Sequence, residues 1–403
     1  MIRRVMILQK GNSDHDMLNA WLNRWGEEFK RLETGVQCFS ATGETDAFIR
    51  QILDAADQSG FDAVLALNSD GLQMLSADGK NLWDRLGIPY FDYLVDHPLE
   101  HTCIDCPCND YHVICVDENH AGFVRRFYPN VKSADFLPLS GFGNTETEPD
   151  SRESFFSREY DLVLTAGLVR PEIFLDRLMS LPERMRAIAL SWIEHMESHP
   201  DLPPEDSLRS VLRDLWGGQE IEDALFLKVA DACTDALMYM RSFVRQQVVE
   251  ALLAAGTPIH IWGNGWEELR ARYPHSRAVF HGDAAMTETP DIYRRTKLAL
   301  SILPLFKGGT HDRIATAQIG GAAVLTDGNA YLSDLYGESR GIFLYEIGKT
   351  KEIPERVSQI LNDREELFAT AQRGQELAVS TFSAEITAQK LLAIMEAAKK
   401  EEG

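Results

Sequence analysis

Short apolar runs alternate with amphipathic segments along the first 140 residues of the chain. The first run, residues 3–9, has the continuous apolar centre expected of a buried strand. The segment behind it has large apolar residues spaced three and four apart, which make one face of a helix: Leu18, Trp21, Leu22, Trp25 and Phe29. This alternation predicts βα units, and therefore a parallel sheet with helices on its faces.

Three loops at the predicted strand ends carry polar residues. They are residues 9–15, 68–71 and 96–98, each directly behind an apolar run. In open α/β sheets, ligands bind beyond the carboxyl ends of the strands. We therefore expect these three loops to form one wall of a ligand-binding crevice.

The second half of the chain restarts the same pattern after a polar stretch. Residues 141–159 are rich in Gly, Asn, Glu, Pro and Ser and lack apolar periodicity, so they predict a linker. A strand at residues 160–167 is followed by an almost wholly helical block, residues 171–250, before the βα rhythm returns. The pattern ends with two long helices, at residues 352–376 and 384–400.

These elements predict an α/β protein with two domains and a terminal helix. The N-terminal domain covers residues 1–145, and the C-terminal domain covers residues 158–385 with the helical segment 171–250 inserted in it. Residues 386–403 form a helix that we expect to pack back on the N-terminal domain. A chain of 403 residues is long enough for each domain to bury its own core.

The charge balance limits the partners of the protein. The formal net charge is −22, with 62 acidic and 40 basic residues. Because little basic surface is available to neutralise a phosphate backbone, nucleic acid and anionic membranes are excluded as general partners, and an anionic ligand requires a local cationic site. The chain has neither a signal-peptide pattern nor the run of ~20 apolar residues that spans a bilayer, so we expect a cytoplasmic protein without a transmembrane segment.

Four of the six cysteines lie close together in the segment HTCIDCPCNDYHVIC. Cys103, Cys106 and Cys108, together with His101, carry the donor atoms of a thiolate metal site. The spacing up to Cys115 is irregular, however, and a second CxxC pair is missing. We therefore expect reduced thiols without a catalytic metal. A structural metal at these thiols is the alternative.

A glycine-containing turn follows the strand PIHIWG. Gly263 and Gly265 allow positive φ and let a ligand approach the backbone closely, and Asn264 and Trp266 complete the turn. The same residues are equally suited to a tight turn that closes a βα unit. Both interpretations stand on the sequence alone.

A second glycine pair precedes a predicted helix in LSILPLFKGGTHDRIATAQIGG. The loop contains Gly308 and Gly309, and Thr310 is a good N-cap residue. A helix N-terminus offers free N–H groups and a partial positive charge, which suits a diphosphate, and cationic or hydrogen-bonding side chains surround this one: Lys307, His311 and Arg313. The alternative is an ordinary capped helix with a surface arginine.

These motifs together resemble a known family. The run IHIWGNGWEEL, followed by RRTKLALSILPLFKGGTHDRIATAQIGGAAVLTDGNAYL, resembles the C-terminal donor domain of CgeB-like, group-1-type bacterial glycosyltransferases. The upstream segments IPYFDYLVDHPL and VDENHAGFVRRFYPNVKSADFLPLSG are similar to the N-terminal domain that accompanies it. The resemblance implies a GT-B enzyme whose two Rossmann-like domains face a cleft. A nucleotide-diphosphate-sugar is then the co-substrate, a glycan or protein is the acceptor, and no metal or permanent cofactor is bound.

The resemblance also assigns roles to residues by their position. It implies that the GNGW turn lines the nucleotide pocket, that His311 and Arg313 contact the diphosphate, and that Asp327 and Asn329 contact the sugar or ribose. The remaining donor-side residues are those of the second glycine loop: Lys307, Gly309 and Thr310. One departure concerns the E-x7-E pattern of group-1 transferases, whose carboxylates are replaced here by Gly308 and Thr316. Thr316 can supply only a hydroxyl bond.

Sugar transfer requires a base for the acceptor hydroxyl and stabilisation of the leaving diphosphate. Arg313 and the helix start suit the second task. Asp96 and His97 are the candidates for the first, because either side chain accepts a proton and Pro98 constrains the chain beside them. The alternative role of Asp96 is to cap the following turn. Further candidates on the acceptor side are His15 with Asp14, and Asn68.

Two other functions are compatible with the same fold. One is a sugar-nucleotide epimerase or hydrolase of GT-B shape. The other is a non-catalytic nucleotide-sugar-binding or scaffold protein, in which the missing E-x7-E carboxylates record lost activity and the helical block binds a partner. The sugar, the acceptor and the oligomeric state are left open by the sequence.

Overall fold

The chain forms two compact units in a computed structural model that describes residues 1–11, 16–41, 45–76, 78–101, 103–145 and 149–401. The first unit comprises Met1–Ser140 together with Thr381–Gly403, and the second comprises Gly141–Ser380. Each unit contains one six-stranded sheet whose strands are all parallel.

The sheet of the first unit has the strand order β2-β1-β3-β4-β5-β6. Its strands are β1 (Arg4–Lys10), β2 (Gly35–Ala41), β3 (Ala63–Leu67), β4 (Tyr90–Leu94), β5 (Tyr111–Cys115) and β6 (Ser133–Phe136). The helices between them are α1 (Asp16–Arg31), α2 (Thr45–Gln58), α3 (Leu82–Leu86) and α4 (Glu118–Phe127), with a 3₁₀ turn at Pro98–Glu100. All residues of β3, β4 and β5 are buried, as expected for parallel strands covered on both faces.

The sheet of the second unit has the order β12-β11-β10-β7-β8-β9. Its strands are β7 (Tyr160–Thr165), β8 (Ile259–Trp262), β9 (Ala278–Gly282), β10 (Thr296–Leu300), β11 (Ala323–Asp327) and β12 (Phe343–Tyr345). The helices are α5 (Arg152–Phe156), α6 (Pro171–Met179), α7 (Glu183–Ser198), α8 (Pro204–Leu215), α9 (Asp223–Ala232), α10 (Asp235–Ala254), α11 (Glu267–Arg272), α12 (Thr289–Arg294), α13 (Asp312–Ile319), α14 (Ala330–Tyr336), α15 (Ile353–Asn362) and α16 (Arg364–Phe382). Two 3₁₀ turns lie at Gly337–Ser339 and Ile347–Glu352.

The helical block predicted between the first two strands of this unit corresponds to helices α6 to α10. The last of them, α10, is 20 residues long and packs against α6, α7 and α15. Its buried face includes Val244, Val248 and Leu252. Packing on several sides makes α10 a well-supported platform for the side chains on its remaining surface.

The C-terminal helices differ from the prediction in one respect. The single helix expected at residues 352–376 consists of α15 and α16, which are separated at Asp363. The last helix, α17 (Ala384–Glu401), packs against α1 within the first unit. Lys399 on α17 pairs with Asp62 at 2.5 Å, between Nζ and Oδ1. The chain therefore returns to its first unit at its end.

The predicted linker, residues 141–159, is mostly built into the second unit. Phe155 on α5 is 1% exposed, and the guanidinium of Arg158 donates to the carbonyl oxygens of Thr296 and Gly321, at 2.7 and 2.9 Å. The sequence did not predict this, because one aromatic residue and one arginine among polar residues make no periodic pattern. In the part of the chain that the structure describes, no helix is both long and apolar enough to cross a membrane.

Candidate functional site

The strand order of the second unit defines a topological switch point. From β7 the chain moves outward to β8 and β9 on one side, and from β10 it moves to β11 and β12 on the other. Ligands of open α/β sheets bind beyond the carboxyl ends of the two strands where the direction reverses, here β7 and β10. The loops to consider are therefore residues 166–170, 263–266 and 301–311.

The loops that follow β7 and β8 are interlocked through their backbones. The N–H of Ala166 donates to Trp262 O, and that of Leu168 donates to Asn264 O, both at 2.8 Å. Gly265 has φ +90°, and a Cβ atom there would lie 1.8 Å from the carbonyl oxygen of Leu168. The glycines of the GNGW turn are thus required by contact with the β7 loop, which explains them without a ligand.

Trp266, the last residue of the GNGW turn, is buried. Its side chain is 2% exposed, and its indole N–H donates to Ala166 O at 2.9 Å. The indole N–H is thus satisfied within the protein, and a role of Trp266 in the nucleotide pocket stays a prediction. Trp266 holds the β7 loop against the turn, and Asn264 is the exposed residue of the turn.

The helix of the second glycine loop begins later than predicted. It is α13, which starts at Asp312, and its N-cap is His311, whose Nδ1 accepts from the N–H of Arg313 at 3.4 Å. Thr310 is therefore not the cap; it is 1% exposed and its hydroxyl has no hydrogen-bond partner. Burial raises the pKa of Asp312, but His311 and Arg313 outweigh it and bring the pKa below its usual value.

Asp327 and Asn329, the predicted sugar or ribose contacts, bind the backbone of the glycine loop after β10. The Asp327 carboxylate is 2% exposed and accepts from the N–H of Leu303 at 2.6 Å. The amide of Asn329 donates to Phe306 O and Gly309 O, at 2.9 and 3.0 Å, while its oxygen caps α14. Both side chains are committed to holding the loop after β10 in place, because they bind its backbone.

Thr316, the predicted ribose contact, is buried within the second unit. It is 1% exposed on α13, and its Oγ1 accepts from the N–H of Phe142 at 3.0 Å. The hydroxyl bond to the ribose stays a prediction. Sequence position alone placed Thr316 in the motif, whereas its burial depends on a residue far away along the chain.

Arg313 keeps a position suited to its predicted role. It lies in the first turn of α13 and is partly exposed. Burial raises the pKa of Tyr293 to about 12, and the positive charge of Arg313 opposes this shift. The Tyr293 hydroxyl bonds to Thr165, the last residue of β7. The guanidinium of Arg313 is therefore located near the carboxyl end of β7, at the switch point.

A second arginine at this place was missed from the sequence. Arg245 on α10 donates from Nη1 to Gly167 O at 2.6 Å, in the loop after β7. Burial lowers its pKa, and so do the neighbouring guanidinium groups of Arg313 and Arg241. We call Arg241, Arg245 and Arg313 the arginine cluster. A signal was present in the i, i+4 spacing of Arg241 and Arg245 along α10.

Lys307 lies on the wall of a neighbouring cavity of about 380 Å³. The cavity is bounded by α10, with Met240 and Phe243, and by the loop after β10, with Leu305 and Lys307. Burial raises the pKa of Asp327, and Lys307 opposes that shift. Lys307 thus lines this cavity and acts electrostatically on Asp327, the last residue of β11.

The proposed bases of the first unit occupy different environments. Strand β4 ends at Leu94, and His97 is 2% exposed, with its Nδ1 accepting from the N–H of Leu99 at 3.1 Å. His97, rather than Asp96, therefore caps the turn. Asp96 is partly exposed. Burial lowers the pKa of His101 to about 4, and the negative charge of Asp96 opposes this shift. Of the two candidates, Asp96 is the more exposed.

A buried carboxylate organises the loop after β3. Asp92 on β4 is 0% exposed and accepts from the N–H and Oγ of Ser69, each at 2.7 Å, and from the hydroxyl of Tyr111 at 2.9 Å. Burial raises its pKa to about 6. Asn68 has φ +52° and accepts from Val95 N–H at 3.0 Å. Asp92 was missed, although an acidic residue inside the apolar strand YFDYL was visible in the sequence.

Two further sequence expectations concern His15 and the cysteines. His15 and Asp14 lie outside the described residues. Burial raises the pKa of Cys108 to about 12 and also raises that of Cys115 in β5, so these thiols stay protonated. Within the described ranges, His, Cys, Asp and Glu form no group of three or more that could hold a metal ion. The absence of a metal in the holoprotein stays a prediction.

Comparison with known proteins agrees with this geometry. Residues 241–393 match the family model of glycosyl transferase-like proteins. The fold is similar to that of HepE from Anabaena, in complex with UDP and glucose, with 11% identity, 98% and 100% of the two chains covered and a TM-score of 0.59. It is also similar to sucrose-phosphate synthase from Thermosynechococcus elongatus, with 10% identity, 98% of each chain covered and a TM-score of 0.59. No curated protein matches the chain.

These findings confirm the predicted fold class. The chain has the GT-B fold, with two parallel α/β sheets, and residues 241–393 are similar to glycosyl transferase-like proteins. The family match begins at Arg241 and includes most of α10, all of α13 and the loops between them. The arginine cluster therefore lies wholly within the matched region.

The interlocked loops lead to a prediction for Gly265. Replacing Gly265 with Ala places a Cβ in contact with Leu168 O, so we expect a loss of at least about 3 kcal/mol in unfolding free energy. Gly282→Ala is the control, because Gly282 has a similar φ of +80° but no atom within 4 Å of its Cβ position. That variant is expected to lose about 1 kcal/mol. Denaturant unfolding measures both, and equal losses would contradict the interlocking.

The buried carboxylate leads to a prediction about pH. Because the folded-state pKa of Asp92 is raised to about 6, the folded protein binds a proton that the unfolded chain does not bind between about pH 6 and 4. Wild type is therefore expected to gain about 2 kcal/mol of stability relative to Asp92→Asn as the pH falls from 7 to 4.5. The exposed replacement Asp54→Asn is the control. A pH-independent difference between wild type and Asp92→Asn would refute the assignment.

Proposed function

We propose that the protein is a CgeB-like, group-1-type hexosyltransferase, which moves a sugar from a nucleotide-diphosphate-sugar to a hydroxyl group of a glycan or protein acceptor. The observation that carries the proposal is the position of Arg313. It lies at the N-terminus of α13, beside the carboxyl end of β7 and within the region matched by the glycosyl transferase-like model. HepE, of similar fold, contains UDP and glucose, which supports a nucleotide-sugar as the donor.

The donor half of the reaction requires stabilisation of a leaving group. As the bond between the anomeric carbon and the diphosphate oxygen breaks, both bonding electrons go to that oxygen and its negative charge grows. The partial positive charge of the α13 N-terminus and the guanidinium of Arg313 oppose this charge most strongly in the transition state. Asp327 and Asn329 act indirectly, because they fix the loop that precedes α13.

The acceptor half requires a base. We assign this role to Asp96, whose carboxylate is partly exposed beyond the carboxyl end of β4. It takes the proton of the acceptor hydroxyl as that oxygen bonds to the anomeric carbon. His97 supports it by capping the turn at Pro98–Glu100, and Asn68 stays a proposed acceptor-side residue.

A panel of UDP-, GDP-, TDP- and CMP-activated sugars tests the proposal. We expect one nucleoside-diphosphate-sugar to stabilise the protein, by about 2.7 kcal/mol at a hundredfold excess over Kd, and to be hydrolysed or transferred. Binding without turnover would instead favour the non-catalytic candidate, which the loss of both E-x7-E carboxylates and the burial of Thr316 support. A panel without any binding would refute the proposal.

Arg313 provides the sharper test of the mechanism. Arg313→Ala is expected to lower kcat by about 10²-fold or more, the scale of losing one preorganised charge-stabilising donor. Arg313→Lys is expected to recover only part of this, because it keeps the charge and loses the planar fork that grips phosphate oxygens. Arg213→Ala, at an exposed position at the end of α8, is the control. The measurement is steady-state kinetics on variants with matched melting temperatures, and a fully active Arg313→Ala protein would contradict the assignment.

A further inference from the structure

We propose that Arg245, on the last helix of the inserted helical block, is a second donor-phosphate-binding residue. The inserted block of helices α6 to α10 then completes the diphosphate site instead of only covering the sheet. This inference rests on the proposed function, since it concerns the same site. It names a residue that neither the motifs nor the predicted helix start includes.

The position of Arg245 is set by a backbone contact. Its Nη1 donates to Gly167 O at 2.6 Å, which holds the guanidinium at the loop after β7, one of the two strands of the switch point. A guanidinium has five N–H donors, so this bond leaves others for a ligand. The Nε of Arg245 is buried and has no hydrogen-bond partner. A buried donor without a partner is destabilising, and an acceptor oxygen of a bound ligand would satisfy it.

The electrostatic surroundings of Arg245 favour an anion. The charged groups that lower its pKa are Arg313 and Arg241, both of them cations. Among the residues that the structure describes, neither Arg245 nor Arg313 forms an ion pair with a carboxylate. This is unusual in a chain with 62 acidic residues and a net charge of −22. Like charges repel one another, and a bound diphosphate would relieve this repulsion.

A further unsatisfied group lies at the same helix start. The Thr310 hydroxyl is buried without a hydrogen-bond partner, two residues before the first residue of α13. Groups that can bind an anion therefore come from two separate elements, α10 and the start of α13. Arg245 is supplied by a helix packed against α6, α7 and α15, so it is presented on a rigid support. Rigid presentation is what a preorganised phosphate site requires.

Isothermal titration with inorganic pyrophosphate and with UDP tests the inference. Arg245→Met is expected to weaken the binding of both by about 10- to 100-fold, because a charge-assisted hydrogen bond is worth about 1.5–3 kcal/mol. Arg245→Lys is expected to recover part of the affinity, since lysine keeps the positive charge but lacks the paired N–H donors of the planar guanidinium. Arg213→Met is the control and is expected to bind like wild type.

Two readouts separate ligand binding from a purely structural role. Loss of the bond to Gly167 lowers the melting temperature but leaves the salt dependence of binding unchanged, whereas loss of a phosphate contact makes the affinity less sensitive to salt. If Arg245→Met does not fold, Arg245→Gln takes its place, because its amide can still donate to a carbonyl oxygen. A folded neutral variant that binds pyrophosphate and UDP like wild type overturns the inference and leaves the proposed function intact. Wild type that binds neither pyrophosphate nor any of UDP, GDP and TDP contradicts both.

Discussion

The close packing of two backbone loops determines the architecture of the candidate site. The loop after β7 and the GNGW turn after β8 lie against each other so tightly that Gly263 and Gly265 have no room for a side chain. Trp266 and Arg245 then secure the β7 loop from the two sides by bonding to Ala166 O and Gly167 O. Because these contacts are between backbones, the geometry of the switch point depends little on the identity of exposed side chains.

The charge distribution follows from this arrangement. A strongly acidic chain can hold an anionic substrate only where it concentrates cations, and it does so where β7, α10 and α13 meet. Arg245 lies on α10 and Arg313 on α13, and strands β8, β9 and β10 lie between these helices along the chain. The cationic site therefore forms only when the second unit is folded. The inserted helices thereby belong to the site as well as to the core.

In the first unit, two polar residues near the predicted site have a structural role. Asp92 lies inside β4 and His97 lies beyond the carboxyl end of that strand, yet both are buried and bind the backbone of neighbouring loops. Asp92 holds a left-handed turn at Asn68 and Ser69. Such residues determine the shape of a site without contacting its ligand, whereas Asp96 is partly exposed.

Hydrophobic periodicity by itself determined the order of strands and helices in both units, because the alternation of buried and exposed positions is a local property of the chain. It also identified the glycine turn and the region of Arg313. The tertiary structure alone decided which polar residues are available to a ligand. Trp266, Thr316 and His97 match the motifs in sequence but are buried, two of them against residues far away in the chain, Ala166 and Phe142. Long-range contacts of this kind leave no periodic signal, so the sequence could not predict them, nor could it bring Arg245 to the site.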